Sequence, residues 1–423
     1  MSASAPAGRP RQAVFLTYDG LEDPLGQSQV MPYLRGLAGR GHHVHVVSFE
    51  KPPHRLRRAE LVADRIRWTA LRYHRTPTVP ATSLDMMTGL ATAGLMSILD
   101  DADLLHARAL VPATMALPLA RLRGLPLIFD TRALWPDEKV DLGHWPRDGR
   151  LHRSAKRLER TVLHGASAVT VLTNAFQRYL RQDYPHRAGI SAPVVVIPTC
   201  TDLAVFRPDV DPDPGLASEL AGHRVLGFLG ALRSIYLPAE MIRFYLAWRR
   251  ASAPASSRLL LISLDDPEAL RALLRPHGLE HELVHRRADR SQVAAMLRCS
   301  HASMCFNQHA FSKIAAAPTK LGEVLGCGLP VVANATGDVG TLLAGARVGV
   351  SLDGFSDAEL DAAAVRLAAL SLDPTVAPEA RDLATRWFSL DRGVDAYDRL
   401  YRSLPRPGEP RRPLPDASWP QPA

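Results

Sequence analysis

The chain has 423 residues, of which 46% are hydrophobic and 22% charged. That composition excludes a disordered or fibrous chain, and the length exceeds one ordinary core, so two domains are expected. Lysine plus arginine outnumber aspartate plus glutamate by 51 to 43, a net charge of +8 spread along the chain. This suits anionic substrates or an anionic surface and gives no focused nucleic-acid footprint.

The four cysteines, Cys200, Cys299, Cys305 and Cys327, show neither CxxC nor Cys/His metal spacing and read as reduced thiols. The opening MSASAPAGRPRQ lacks the apolar core of a signal peptide, and the uncharged stretch between Asp85 and Asp100 is too short to span a bilayer. A cytoplasmic protein is expected, at most touching the inner face of the cell membrane.

Residues 1–12 read as a disordered lead. Ala13–Thr17 is a buried strand by its continuous apolar run. Gly26 precedes a helix expected from Ser28 to Arg40 and stopped by Gly41, and Val44–Phe49 is the next strand. Strand, glycine-containing loop, helix and strand open a doubly wound sheet, whose ligands bind at the carboxyl edge. The loop is not GxGxxG, and Gly26 on its own marks only a turn.

Between Lys51 and Arg75 lie Arg55, Arg57, Arg58, Arg65, Arg67, Arg72 and Arg75. They suit a basic helix whose face is solvated, or one that meets anionic lipid. Asp85–Asp100 reads as a helix with a buried face. Strands follow at Leu104–Ala107 and Leu127–Asp130, with a helix at Pro112–Arg123 between them. His106 and Asp130 are placed at strand ends on the carboxyl edge. In FDTRALWPDEKVD, polar groups crowd an aromatic, which fits an acceptor cleft or a charged loop shaped by an Asp130–Arg132 pair. Arg147–Arg160 is a helix with a basic face, Ala168–Leu172 a strand, and Thr173 the cap of a helix at Asn174–Gln182. Val194–Ile197 closes the first domain, residues 13–205, and PTCTDLAVFRPDVDPDPG is the linker.

Residues 206–385 repeat the scheme. Strands are expected at Val225–Leu229, Leu259–Ser263, Glu282–His285 and Ala302–Phe306, and helices at Pro267–His277 and Gln292–Arg298. Arg233 sits in the loop GALRSIYLP after the first of these strands. The stretch FSKIAAAPTKLGEVLGCGLPVVAN then reads as loop, helix, turn and strand. Pro318 and Thr319 start the helix, and Gly326 and Gly328 stop it. Lys320 lies in the first turn, where backbone N–H groups favour an anion, and Glu323 lies three residues on. Together they suit a nucleoside diphosphate, Lys320 for phosphate oxygens and Glu323 for ribose hydroxyls. A surface ion pair is the other reading. Val348–Ser351 adds an edge strand, and Asp357–Leu370 and Glu379–Trp387 are helical. Residues 386–404 hold an amphipathic helix, and 405–423 a disordered proline-rich tail.

No P-loop and no carboxylate pair for glycoside hydrolysis is present. Asp101-x-Asp103 and Asp209-x-Asp211-x-Asp213 have the form of a metal-binding DxD. One precedes a strand and the other lies in the linker, so both read as solvated turns and no metal is expected.

PTKLGEVLGCGLPVV resembles the nucleotide-sugar signature of glycosyltransferase family 4, which has the GT-B fold. YDGLEDPLGQSQVMPYLRGLAGRGHHV, LLHARALVPA, FDTRALWPDEKVD, IPTCTDLAVF and WFSLDRGVDAYDRLY resemble further segments of that family. Its fuller signature has two glutamates separated by seven residues. Glu323 matches the second, and Ala315 stands where the first would be, a departure that bears on sugar contacts more than nucleotide contacts.

The resemblance implies an α/β protein of two doubly wound Rossmann-like domains facing across a cleft, with the last helix crossing back to the first domain. It implies donor contacts at Gly26, Arg233, Thr319, Lys320 and Glu323, with His106, Asp130 and Arg132 near the reacting sugar and the acceptor. The implied activity is transfer from a UDP- or GDP-sugar co-substrate, with configuration retained and no metal or other cofactor. The acceptor would be a glycan, a lipid-linked molecule or a small secondary-metabolite aglycone. Two rivals stay open: a GT-B epimerase or hydrolase acting on donor alone, and a non-catalytic binding protein at the membrane surface.

Overall fold

The computed structural model describes residues 9–51, 61, 66–232, 237–409 and 419. The chain divides into two compact units. Unit 1 runs to Pro198 and resumes at Leu390, and unit 2 is Thr199–Ser389.

Unit 1 is built on seven strands: β1 (Gln12–Thr17), β2 (His43–Glu50), β3 (Ile66–Arg72), β4 (Leu104–Arg108), β5 (Leu127–Asp130), β6 (Ala168–Val171) and β7 (Val194–Val196). They pair in parallel in the order β3-β2-β1-β4-β5-β6-β7. Strands β4 to β7 are buried at every residue, because helices cover both faces of a parallel sheet and the strands must then be apolar throughout. The register sets Thr17 against Arg108 and Arg108 against Asp130, so these residues share the carboxyl edge.

Unit 2 repeats the plan with β8 (Arg224–Leu229), β9 (Ser257–Ile262), β10 (Leu283–Arg286), β11 (Ala302–Cys305), β12 (Val331–Asn334) and β13 (Gly349–Leu352), in the order β10-β9-β8-β11-β12-β13. Its core gathers Phe244, Tyr245 and Trp248 of the helix Pro238–Ser252 around Phe228 and Phe306.

Several elements differ from the sequence expectation. Arg11 and Gln12 belong to the fold: Gln12 opens β1, and the Arg11 N–H donates to His42 Nδ1 at 3.0 Å. The expected helix at Ser28–Arg40 is two helices, Pro24–Gln29 and Met31–Gly39. Pro24 opens the first, so Gly26 lies inside a helix and not ahead of it. Residues 66–72 form β3, not a basic helix; Ile66, Trp68 and Thr69 favour a strand, and Arg67 and Arg72 take exposed positions on this edge strand. Arg55, Arg57, Arg58 and Arg65 lie outside the described residues. Trp135–Asp141, expected as loop, is a helix with Pro136 in its first turn.

The linker joins unit 2 earlier than its composition suggests. Thr201 N–H donates to Phe388 O at 2.6 Å, and Arg381 donates to the carbonyls of Leu203 and Phe206 at 2.7 and 2.5 Å.

The final helix, Leu390–Ser403, completes unit 1. A Cβ on Gly36 would lie 2.3 Å from Val394, so the helix Met31–Gly39 reaches it only because residue 36 has none. Asp398 accepts from Arg402 Nε at 2.7 Å and meets His42 Nε2 at 2.7 Å. Beyond it Arg406 donates to Pro10 O at 3.1 Å, so the start of the expected tail is packed.

Candidate functional site

In unit 2, β11 leads through the turn Phe311–Ala315 to the helix Thr319–Gly326. Pro318 caps it with extended backbone, and Gly328, at φ 75°, turns the chain into β12. Lys320 and Glu323 are both buried, so they are not a solvated surface pair. The Lys320 ammonium lies 4.2 Å from the centroid of the Phe228 ring. Gly230, at φ 120°, follows β8, and a Cβ there would fall 2.9 Å from Lys320 Nζ. Burial lowers the Lys320 pKa to about 8, against the opposing pull of Cys305 and Glu323.

Glu323 Oε1 accepts from Arg290 at 2.9 Å. Burial pushes this carboxyl above its ordinary range, while the Arg290 guanidinium draws it down. Arg290 opens the helix Arg290–Leu297, held by the Asp289/Gln292 capping box, and stacks 5.4 Å over Phe206. The Thr319 carbonyl accepts from Thr201 Oγ1 at 3.4 Å. Asn307 and Asn334 clamp the ends of β11 and β12 through two 2.8 Å bonds. Ala315 is buried beside Ser312 and Lys313. Arg233 lies outside the described residues.

In unit 1 the carboxyl edge is a network of buried charges. Arg108 and Arg132 share Gln29 Oε1, at 2.8 and 3.1 Å. Arg108 also meets Asp19 at 3.2 Å, Arg132 meets Asp130 at 3.6 Å, and Asp130 accepts from Thr170 Oγ1 at 2.9 Å. Burial alone would raise the Asp130 pKa, but Arg132, His106 and Arg108 outweigh it and the pKa falls. Burial and then Arg132 lower that of Arg108.

Gly26 is enclosed: a Cβ would lie 2.1 Å from Gly20 O, so its glycine lets the helix Pro24–Gln29 settle on the loop after β1. Glu50 holds that loop by accepting from Leu21 N–H at 2.7 Å. His106 sits in the middle of β4, not at its end. Its Nδ1 pairs with Tyr401 Oη at 2.8 Å, and Phe15, Tyr397 and Tyr401 surround the ring. Burial drops its pKa to about 4, so the imidazole is neutral at pH 7.

Thr319, Lys320 and Glu323 thus come together in unit 2, and Asp130 and Arg132 in unit 1 with His106 beneath them. Sequence reasoning missed Arg290, Gly230, Arg108 and Gln29. Only Arg108 left a local sign, a charge two residues past His106 at the end of an apolar strand. Asp137, read as part of an acceptor loop, instead pairs with Lys156 at 2.9 Å between two helices. Of the DxD aspartates, Asp103 meets Arg11 and Arg406, each at 3.6 Å, and Asp213 caps the helix Pro214–Glu219.

The fold has solved counterparts. Sucrose-phosphate synthase from Thermosynechococcus elongatus is 17% identical, with 93% of this chain and 98% of that chain covered and a TM-score of 0.69. Anabaena Alr3699/HepE in complex with UDP and glucose is 16% identical, covering 93% and 100%, with a TM-score of 0.63. WaaG, a glycosyltransferase of lipopolysaccharide biosynthesis, is 16% identical, covering 92% and 99%, with a TM-score of 0.64. No curated protein matches the sequence. Two parallel Rossmann-like sheets, in company with these structures, show the GT-B fold. Residues 26–200 match the family model of the glycosyl transferase 4-like domain.

Proposed function

We propose that the protein transfers a sugar from a UDP- or GDP-sugar held by unit 2 to an acceptor held by unit 1, retaining the anomeric configuration without a metal. The observation that carries this reading is the buried Lys320 ammonium at the edge of β8, beside Gly230, with Glu323 one turn on. Charge on a departing diphosphate needs a cation that is already in place and desolvated. Lys320 supplies one, and the N–H groups of the helix start add to it. Arg290 keeps Glu323 oriented to accept from ribose hydroxyls. HepE, whose structure holds UDP and glucose, supports a uridine donor.

On the acceptor side, Asp130, Arg132 and Arg108 offer fixed charges, and His106, neutral at pH 7, lies beneath them. No protein nucleophile is required: the leaving phosphate takes the acceptor proton. The four cysteines are buried, in keeping with reduced thiols in the cytoplasm.

The test is turnover by Lys320→Met protein with candidate UDP- and GDP-sugars found by thermal shift. A loss of about 2–4 kcal/mol of transition-state stabilisation is expected; full turnover would remove Lys320 from the site. Donor incubated alone should stay unchanged, since a rearranged or hydrolysed sugar would instead mark an epimerase or hydrolase. Donor binding without transfer to any acceptor would mark a binding protein.

A further inference from the structure

The helix Thr78–Leu99 wears its hydrophobicity on the wrong side for a helix covered by water. Its inward stripe is small: Ala81, Asp85, Gly89, Ala93 and Ser97 are buried at i, i+4 spacing. Gly89 lets it pack so closely that a Cβ would fall 2.5 Å from Met115 Sδ of the helix Leu110–Arg123 and 2.9 Å from the Phe49 ring of β2. Met86, Leu90 and Met96 are half-buried, and the other large apolar side chains point outward. Met87 is 69% exposed, Leu95 52%, Ile98 63% and Leu99 66%, and Leu84 continues the stripe. Leu122, 84% exposed, extends the patch from the neighbouring helix Leu110–Arg123, where Arg123 donates to Ser97 Oγ. Single exposed apolar side chains are ordinary, whereas a contiguous stripe of them marks a docking surface.

Charge identifies the partner. From residue 66 to residue 99 the sole carboxylate is Asp85. It is turned inward, accepting from Tyr18 Oη at 2.7 Å and pairing with His74 Nδ1 at 2.6 Å. The exposed charges of this segment are Arg67, Arg72 and Arg75. At the far end Asp100 is engaged by His45 and Arg67, and Asp101 is exposed next to it. An apolar stripe bordered by arginines suits the boundary between acyl chains and anionic headgroups. No helix among the described residues is long and apolar enough to cross a membrane, so this contact lies in the plane of the surface.

We infer that the helix Thr78–Leu99, with Leu122 and the arginines of β3 and its following loop, docks the protein on an anionic lipid bilayer. The inference stands apart from the donor site, and its test needs no turnover. The full chain is floated with vesicles of phosphatidylcholine alone and with phosphatidylglycerol added, at low and high salt. Binding is expected to the anionic vesicles only and to weaken with salt. A Met87→Ser/Leu95→Ser/Ile98→Ser variant should partition more than about tenfold less while keeping its melting temperature, because these side chains are already in water. An Arg72→Gln/Arg75→Gln variant should bind less and with a flatter salt dependence. Equal binding to neutral vesicles, no binding at low salt, or unchanged binding by the triple variant overturns the proposal. So does a wild-type dimer that the triple variant converts to monomer, which would make the face an interface between copies.

Discussion

The carboxyl edges of the two sheets share a strand order and differ in how their charge is settled. In unit 1, Arg108 and Arg132 are paired with Gln29, Asp19 and Asp130, and Asp130 in turn with Thr170. In unit 2, Lys320 is driven down to about pKa 8 by burial against an aromatic ring and a glycine. One edge is a network of paired charges that ties together the loops around it. The other keeps a poorly solvated cation, which gains most when an anion arrives. Two copies of one architecture thus settle their charge differently, and the role proposed for Lys320 rests on that difference.

The sharpest test of this contrast is Arg132→Met. It leaves Asp130 buried without its nearest guanidinium and should cost about 3–5 kcal/mol of stability by denaturant unfolding; a loss below the effect of an ordinary surface change would break the idea of a network of paired charges. Lys320→Met should do the reverse. It should lower kcat/KM by the equivalent of about 2–4 kcal/mol while leaving the melting temperature unchanged or higher, since a desolvated charge is replaced by an apolar side chain of similar length. Gly26→Ala tests the steric part of edge 1. With Gly20 O only 2.1 Å from the new Cβ, the loop and helix must separate, at about 1–3 kcal/mol.

The smallest expected effects are in pH dependence. Lys320 has a lower pKa folded than unfolded, so the unfolded chain binds more protons between about pH 8 and the ordinary lysine value. Stability from this group rises with pH across that window. UDP or GDP affinity should fall as pH rises through about 8, because the ammonium that meets the phosphates is lost, and Lys320→Met should flatten the profile in isothermal titration. His106, at about 4 when folded, gives the acid counterpart: stability should fall as pH drops from the ordinary histidine value toward 4, and His106→Phe should blunt that fall.

Much of the fold could be read locally. The apolar runs at β1, β4, β5 and β8 and the helix at Asp357–Leu370 stand where pattern places them. Residues 66–72 misled because an arginine-rich stretch looks like a solvated helix until β2 supplies a partner for alternate side chains. The helix expected at Asp85–Asp100 stands and has its buried face, but the apolar pattern alone did not say that the small residues form that face and large ones face outward. In the site, Lys320 and Glu323 could be read together because one helix carries both. Arg290 and Gln29 could not, each lying more than thirty residues from the side chain it engages.

The amino-acid order by itself determined the alternation of strands and helices, the two repeats of that alternation, and the helix start that presents Lys320. These follow from short-range rules of backbone geometry and apolar period. Tertiary structure alone decided which charges are shared, which glycines are obligatory and which helix face meets water. Those outcomes depend on parallel register and crossover, which bring together residues whose separation along the chain carries no information about their distance in space.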